Sequence, residues 1–393
     1  MKKILLSVCV TSFLCTVNAQ NCGQRYKDFV FNNTSVAEVT YSTSNQKMDI
    51  YTPVGDVGTN RAVIVWAHGG SFVSGTKADH DVATLADNFA KRGYVTVSID
   101  YSLASSPFAM LDSSTAYEPV MVAVGEAKAA LRYLRANAAT YAIDTNNIFF
   151  GGNSAGAILG LNYGFMDNMS KATPLLTTAI NNHGGLEGDF GNPGYSSKFK
   201  ALVSLAGGIL YPDWIDGQSD IPTLLCQGDM DGTVPYNCGP VLGGASTIRL
   251  CGSNVVEPAL TAASIASEKH VWVGGDHCPW STDDVELAKV DTIVRDFLYS
   301  YVTPSEVCTG INEVYNNKLI SVYPNPAQNA INISLENAPA AIQSVRVSNV
   351  LGQTAYSGTE TKISTQSLQN GLYFVEVTFK DNQRAIKRVE VLK

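Results

Sequence analysis

Residues 149–158 read FFGGNSAGAI. A bulky apolar run stops at two glycines, and a serine, Ser154, stands at the centre of Gly-Asn-Ser-Ala-Gly. A strand that ends this way and passes straight into a helix must turn so sharply that the serine backbone is strained, and small flanking residues let strand and helix close on each other. Such a turn exposes the hydroxyl at the end of the strand and aims the helix N-terminus at it. Small residues also collect in ordinary strand-to-helix turns, so the surroundings decide the reading.

Around this point apolar, strand-like runs alternate with helix-like ones. Residues 62–67 (AVIVWA), 94–101 (YVTVSIDY), 148–150, 201–205, 223–226 and 270–273 are predicted strands. Residues 79–91, 118–141, the stretch from 154 onward and 283–301 are predicted helices. Continuous apolar strands separated by helices need cover on both faces, which predicts an α/β domain with a doubly wound, mainly parallel sheet. In the long helix, Arg132 and Arg135 read as a solvated face.

Beyond residue 302 the character changes. Residues 303–318 read as a linker. Within 319–393, short alternating segments at 331–335 (INISL), 345–350 (VRVSNV), 373–379 (YFVEVTF) and 385–392 are separated by turns such as Asn325-Pro326, Leu351-Gly352 and Asn370-Gly371, predicting a small all-β sandwich. At the other end, MKKILLSVCVTSFLCTVNA has a basic start, an apolar core and small residues before a cleavage point. Residues 1–19 therefore read as a signal peptide, too short for a stable membrane span, and the α/β domain occupies 20–302.

A net charge of −8 over 393 residues excludes the basic footprint of a nucleic-acid binder, and 45% hydrophobic residues exclude a disordered chain. Six cysteines lie outside the leader (Cys22, Cys226, Cys238, Cys251, Cys278, Cys308), an even number that in an exported chain reads as disulfides. Cys238 and Cys251, flanking a short glycine-rich loop, are the expected pair. No spacing matches a metal site, so neither a metal nor another cofactor is expected.

Serine is a poor nucleophile without a base in hydrogen-bond reach. Among His68, His80, His183, His270 and His277, the last sits in VGGDHCPW after the final strand and before the final helix, where a base for Ser154 belongs. His80 and His183 are given structural places. The acid that orients the imidazole should follow the preceding strand, where TLLCQGDMDGTVP offers Asp231 as the candidate and Asp229 as a loop brace. His68-Gly69-Gly70-Ser71-Phe72 follows AVIVWA, and with the N–H of Ala155 its backbone can cradle a developing oxyanion. The loops at 103–118 and 181–199 are expected to line the mouth, with Phe108, Met110 and Tyr117 forming an apolar acyl or aryl site. No long amphipathic insertion suited to a large lid is seen.

HGGSFVSG, SIDYSLA, EAKAALRYLRANAATYAIDTNNI, GGNSAG, GDMDGTVP and GDHCPW together resemble the α/β-hydrolase fold over residues 40–301, most closely its carboxylesterase/lipase branch. The resemblance implies Ser154 as nucleophile, His277 as base and Asp231 as acid, with oxyanion N–H groups from Gly70, Ser71 and Ala155. Two positions depart from it: many relatives carry a third glycine where Ser71 stands and an acidic residue where Asn153 stands. In the small domain, VYPNP (322–326), VLGQ (350–353) and NGLY (370–373) resemble the type A sorting domain of the type IX secretion system, which exports proteins across the outer membrane of Bacteroidetes. That likeness implies the translocon as partner and a secreted or cell-surface location. A carbohydrate-binding sandwich would want exposed aromatics, and 319–393 contains no Trp.

The expected function is a secreted serine carboxylic-ester hydrolase acting through an acyl-enzyme on a small or polymer-linked ester. The alternatives are a peptidase or a polyester or lipid hydrolase on the same fold, and a non-catalytic adhesion protein, which should lack a triad member.

Overall fold

The structure, a computed structural model, describes residues 25–302, 319–336, 341–350, 352–380 and 384–393. The expected signal peptide (1–19) and linker (303–318), with Cys22, Cys308 and the turn residue Leu351, lie outside the described residues. The chain divides into two compact units, on either side of residues 307 and 308.

The first unit is built on an eight-stranded sheet. Its strands are β1 (Thr34–Thr40), β2 (Lys47–Pro53), β3 (Arg61–Ala67), β4 (Val95–Ile99), β5 (Ile143–Asn153), β6 (Leu202–Leu205) and β7 (Thr223–Gly228); β8 (Cys238–Pro240) and β9 (Arg249–Cys251) form a separate hairpin, and β10 (Ser267–Trp272) completes the sheet. The spatial order is β1-β2-β4-β3-β5-β6-β7-β10, with every pair from β4 to β10 parallel. β1 and β2 add an antiparallel edge that the apolar-run reading leaves unassigned. β1 is largely exposed, so it lacks the continuous apolar pattern of a buried strand.

Successive side chains of a strand point to opposite faces, and β3 shows the consequence. Ala62, Ile64 and Trp66 pack against α1 (His80–Lys91) and, across the domain, the C-terminal helix α7 (Asp284–Tyr301). Val63, Val65 and Ala67 pack with α2 (Ser113–Ala136), α4 (Ala155–Phe165), α5 (Pro174–Asn182) and α6 (Ser253–Ala262). The short α3 (Ala138–Tyr141) follows α2. Helix α2 starts five residues before the expected 118, because Asp112 caps it, accepting the Ser114 N–H at 2.8 Å.

The expected solvated face of α2 is a correction. Arg132 is buried and donates to the carbonyls of Gly191 (2.9 Å) and Glu187 (2.6 Å), while Arg135 donates to those of Ser196 (2.8 Å) and Lys198 (2.6 Å). Lys128 reaches the Leu186 carbonyl. The segment 184–199 has no strand ladder, so its carbonyls need donors from elsewhere, and this row of cations supplies them.

In the second unit, β11 (Ile320–Tyr323), β12 (Ala330–Leu335) and β15 (Lys362–Ser364) form one antiparallel sheet. A second is made of β13 (Ile342–Asn349), β14 (Thr354–Gly358), β16 (Gly371–Phe379) and β17 (Arg384–Val391) in the order β14-β13-β16-β17. Its own core includes Ile331, Val345, Val347, Val375, Phe379 and Val389. This is the expected all-β unit.

Candidate active site

The two glycines before Asn153 have separate causes. A Cβ on Gly151 would lie 2.3 Å from the Trp66 ring of the neighbouring strand. One on Gly152 would lie 2.2 Å from the backbone of Gly156, and one on Gly156 would lie 2.1 Å from the Ala67 carbonyl oxygen. Strand and helix thus touch backbone to backbone, and the turn between them leaves Ser154 at φ 51°, ψ −113°. Holding a non-glycine residue there costs about 1–3 kcal/mol. The position is over-determined: the Ser154 N–H donates to Leu205 O (2.7 Å) and its carbonyl accepts from the Ile158 N–H (2.9 Å).

Three side chains from three loops meet at this turn. His277, in the loop after β10, has Nε2 2.8 Å from Ser154 Oγ, and its Nδ1 lies 2.8 Å from Asp231 Oδ2 in the loop after β7. The Asp231 side chain is fully buried, and its other oxygen accepts the N–H groups of Thr233 (2.9 Å) and Val234 (2.8 Å). A carboxylate at Nδ1 selects the tautomer whose proton sits there, leaving Nε2 to accept from the serine hydroxyl. Asp229 accepts from the Gly274 N–H at 2.6 Å, which fits the loop brace.

Asp276, which the sequence reading passes over, ties the two loops together. Its carboxylate accepts the N–H of Gly232 (3.1 Å) and of His277 (2.8 Å), and those two bonds hold its carboxyl below the usual range. The remaining histidines stand apart on acidic partners: His80 on Asp284, His183 on Glu118 and His270 on Glu268.

The His-Gly-Gly loop is shaped from beneath. The His68 ring stacks on Tyr101 (centroids 4.2 Å apart, 9° between planes), and the Tyr101 hydroxyl donates to the His68 carbonyl at 2.8 Å. Burial pushes the His68 pKa down, which favours the neutral ring, and its Nδ1–H donates to Gly69 O at 2.7 Å. Gly70 turns through φ +104°, where a Cβ would strike the Ser74 carbonyl at 2.1 Å. Ser71 then lines the same cavity as Ser154 and Ala155.

Asn153 has a role that the sequence does not disclose. Its Oδ1 accepts from Trp280 Nε1 (3.0 Å) and the Cys278 thiol (3.2 Å). Its Nδ2 donates to the Asp81 carboxylate and to Ser281 Oγ (3.0 Å), and Ser281 Oγ donates in turn to Asp81 (2.7 Å). The start of α1, the serine turn and the histidine loop are thereby fastened at one buried point. The amide is needed there because Asp81 already supplies the carboxylate. Asn153→Asp sets like charges in contact, which raises the pKa of the new pair above its unfolded value. A raised folded pKa gives a deficit that is absent below about pH 4, the unfolded carboxyl pKa, and grows as pH rises. The variant is expected to lose roughly 2–3 kcal/mol near neutrality and little near pH 4, as read by thermal unfolding of both proteins across that range.

Beside Ser154 opens a cavity of about 670 Å³, its open mouth included. Met110 and Tyr117 line it as expected positions for an apolar site. Phe108 does not: the 3₁₀ turn Pro107–Leu111 buries Met110 and leaves Phe108 76% exposed. Segment 181–199 is likewise absent from the lining, being docked on α2. Instead the opposite wall comes from residues 233–250, with Val234, Val241, Leu242, Ile248 and Leu250 packed against Ile158 and Leu210. The Cys238–Cys251 disulfide closes this arm at its base.

Residues 48–209 match the family model described as BD-FAE, and residues 321–391 match that described as Secretion system C-terminal sorting domain. The chain is 33% identical over 113 residues to Carboxylesterase 3B of Mus musculus, covering 28% of this chain and 19% of that protein. It is 31% identical over 129 residues to an acetyl esterase of Salmonella schwarzengrund, covering 30% of this chain and 36% of that one. The chain therefore spans from about a fifth to about a third of the length of these relatives. Among solved structures, Thermogutta terrifontis esterase 2 phosphorylated by paraoxon superposes with a TM-score of 0.52 at 20% identity, over 69% of this chain and 95% of that one. The butyrate-bound form of that esterase gives 0.51 at 21% identity, over 69% and 96%. The first unit thus has the fold of these esterases, and the second carries the match to a secretion-system sorting domain.

Proposed function

We propose that this chain is a secreted serine carboxylic-ester hydrolase working through an acyl-enzyme. The observation that carries the reading is the unbroken series from Ser154 Oγ through His277 to the buried Asp231, with both links at 2.8 Å, beside an apolar cavity. Ser154 Oγ attacks the ester carbonyl as His277 Nε2 takes its proton, and Asp231 stabilises the imidazolium that forms. Backbone N–H groups of Gly70, Ser71 and Ala155 receive the negative charge that develops on the carbonyl oxygen, and each such donor is worth about 3 kcal/mol. His277 passes the proton to the departing alkoxide. Water, activated by the same imidazole, then attacks the acyl-enzyme and frees the acid.

This chemistry also assigns the two sides of the ester. The alkoxide must leave within reach of Nε2, and His277 does not line the cavity. The cavity, which begins at Ser71, Ser154 and Ala155, therefore receives the acyl group.

The Thermogutta esterase is phosphorylated by paraoxon. Here the same reagent is expected to transfer its diethylphosphoryl group to Ser154 Oγ, expelling p-nitrophenolate, so that peptide mass mapping finds the adduct on the peptide holding residue 154. Labelling elsewhere, with no hydrolysis of p-nitrophenyl esters, would count against the assignment. The C-terminal unit has its own core, and we assign it to recognition by the type IX translocon. Deleting residues 319–393 is expected to abolish export while the purified protein still hydrolyses esters. Loss of both would place the small unit within the catalytic one.

A further inference from the structure

The arm from residue 233 to 250 does more than border the cavity. Its tip is fastened to the 3₁₀ turn that carries Met110. Ser246 Oγ donates to Met110 O (2.9 Å), the Thr247 N–H donates to Leu111 O (2.8 Å), and Thr247 Oγ1 donates to Asp112 Oδ2 (3.1 Å). At the base, the disulfide joins residues that face each other across the β8–β9 hairpin. The arm is thus held at both ends, and Val241, Leu242 and Ile248 are held between those anchors against Ile158 and Leu210.

We propose that this doubly anchored arm sets the acyl-chain length, making straight aliphatic acyl groups of short to medium length the substrate class. The inference rests on the hydrolase reading above. Along one face of α4 the cavity is lined by Ala155, Ile158 and Asn162. From Ser154 to Asn162 the helix rises roughly 12 Å, about the length of an extended decanoyl chain. Asn162 offers nothing polar to a ligand: its amide donates to Ile158 O (2.7 Å) and Gly208 O (3.2 Å), and its Oδ1 accepts from the Leu210 N–H (3.0 Å). An aliphatic chain leaves no polar partner unmet there, and a longer one meets a wall that is pinned rather than free to swing.

The test is a series of p-nitrophenyl esters from acetate to palmitate, measured as kcat/KM with the full mature chain and two kinds of variant. In the parent, palmitate is expected roughly tenfold or more below octanoate. Ile248→Phe, which fills the cavity, is expected to lower the octanoate-to-acetate ratio about tenfold. Ser246→Ala with Thr247→Ala, which leaves only the backbone Thr247 N–H bond to Leu111 O at the tip, and separately Cys238→Ser with Cys251→Ser each loosen one anchor and are expected to raise the palmitate-to-octanoate ratio. Because each variant is read as a ratio, a partial loss of folded protein does not alter the result. Ratios that stay constant in all three, or a parent that hydrolyses palmitate as fast as octanoate, would overturn the proposal. A chain that hydrolyses no ester in the series brings down the hydrolase reading itself, and this inference with it.

Discussion

Ser154→Ala is expected to lower kcat for ester hydrolysis by about 10⁴-fold or more, with the unfolding midpoint little changed. The separation of the two effects follows from the turn. Alanine keeps the Cβ, pays the same positive-φ penalty at 51° and retains the N–H bond to Leu205 O, so packing at the strand-to-helix junction is preserved. What disappears is the oxygen that His277 Nε2 contacts at 2.8 Å. Without a nucleophile the oxyanion donors and the apolar cavity can still bind an ester, and that residual binding limits the loss. Activity within tenfold of the parent would mean that another group attacks the carbonyl. The paraoxon adduct should vanish in the same variant, which distinguishes a lost nucleophile from a contaminating esterase.

Much of this site is legible in the sequence because its determinants are local. Gly-Asn-Ser-Ala-Gly is a backbone requirement written in five consecutive residues, and Gly152 and Gly156 are where the fold leaves no room for a Cβ. His277 and Asp231 follow from chain order, since loops after successive parallel strands open at the same end of a sheet. What stays hidden depends on distant partners. Asp81 and Ser281 lie 72 and 128 residues from Asn153, and no spacing rule singles them out. Arg132 and Arg135 look solvated on a helix considered alone; only the docking of an aperiodic segment some sixty residues later buries Arg132 and engages the half-buried Arg135. Phe108 and Met110 differ by two positions, and a single 3₁₀ turn sends one outward and the other into the cavity. The arm at 233–250 is closed by two three-residue strands, Cys238–Pro240 and Arg249–Cys251, too short to carry a periodicity.

Asp231→Asn is expected to reduce kcat by about 10⁴-fold, while Asp229→Asn stays near the parent rate, although the two carboxylates are separated by one residue. The contrast rests on which atom each carboxylate serves. An asparagine at 231 can keep its oxygen on the N–H groups of Thr233 and Val234, and its NH₂ then faces His277 Nδ1. That nitrogen must now accept, the ring proton moves to Nε2, and the lone pair needed to take the Ser154 proton is gone. Geometry survives while the base is disabled, so binding of an ester analogue should persist as turnover falls. At 229 the demand is different: one oxygen accepts the Gly274 N–H, and an asparagine oxygen meets it equally well. If Asp229→Asn were the inactivating change and Asp231→Asn nearly silent, the carboxylate at His277 Nδ1 would not be the one that orients the base.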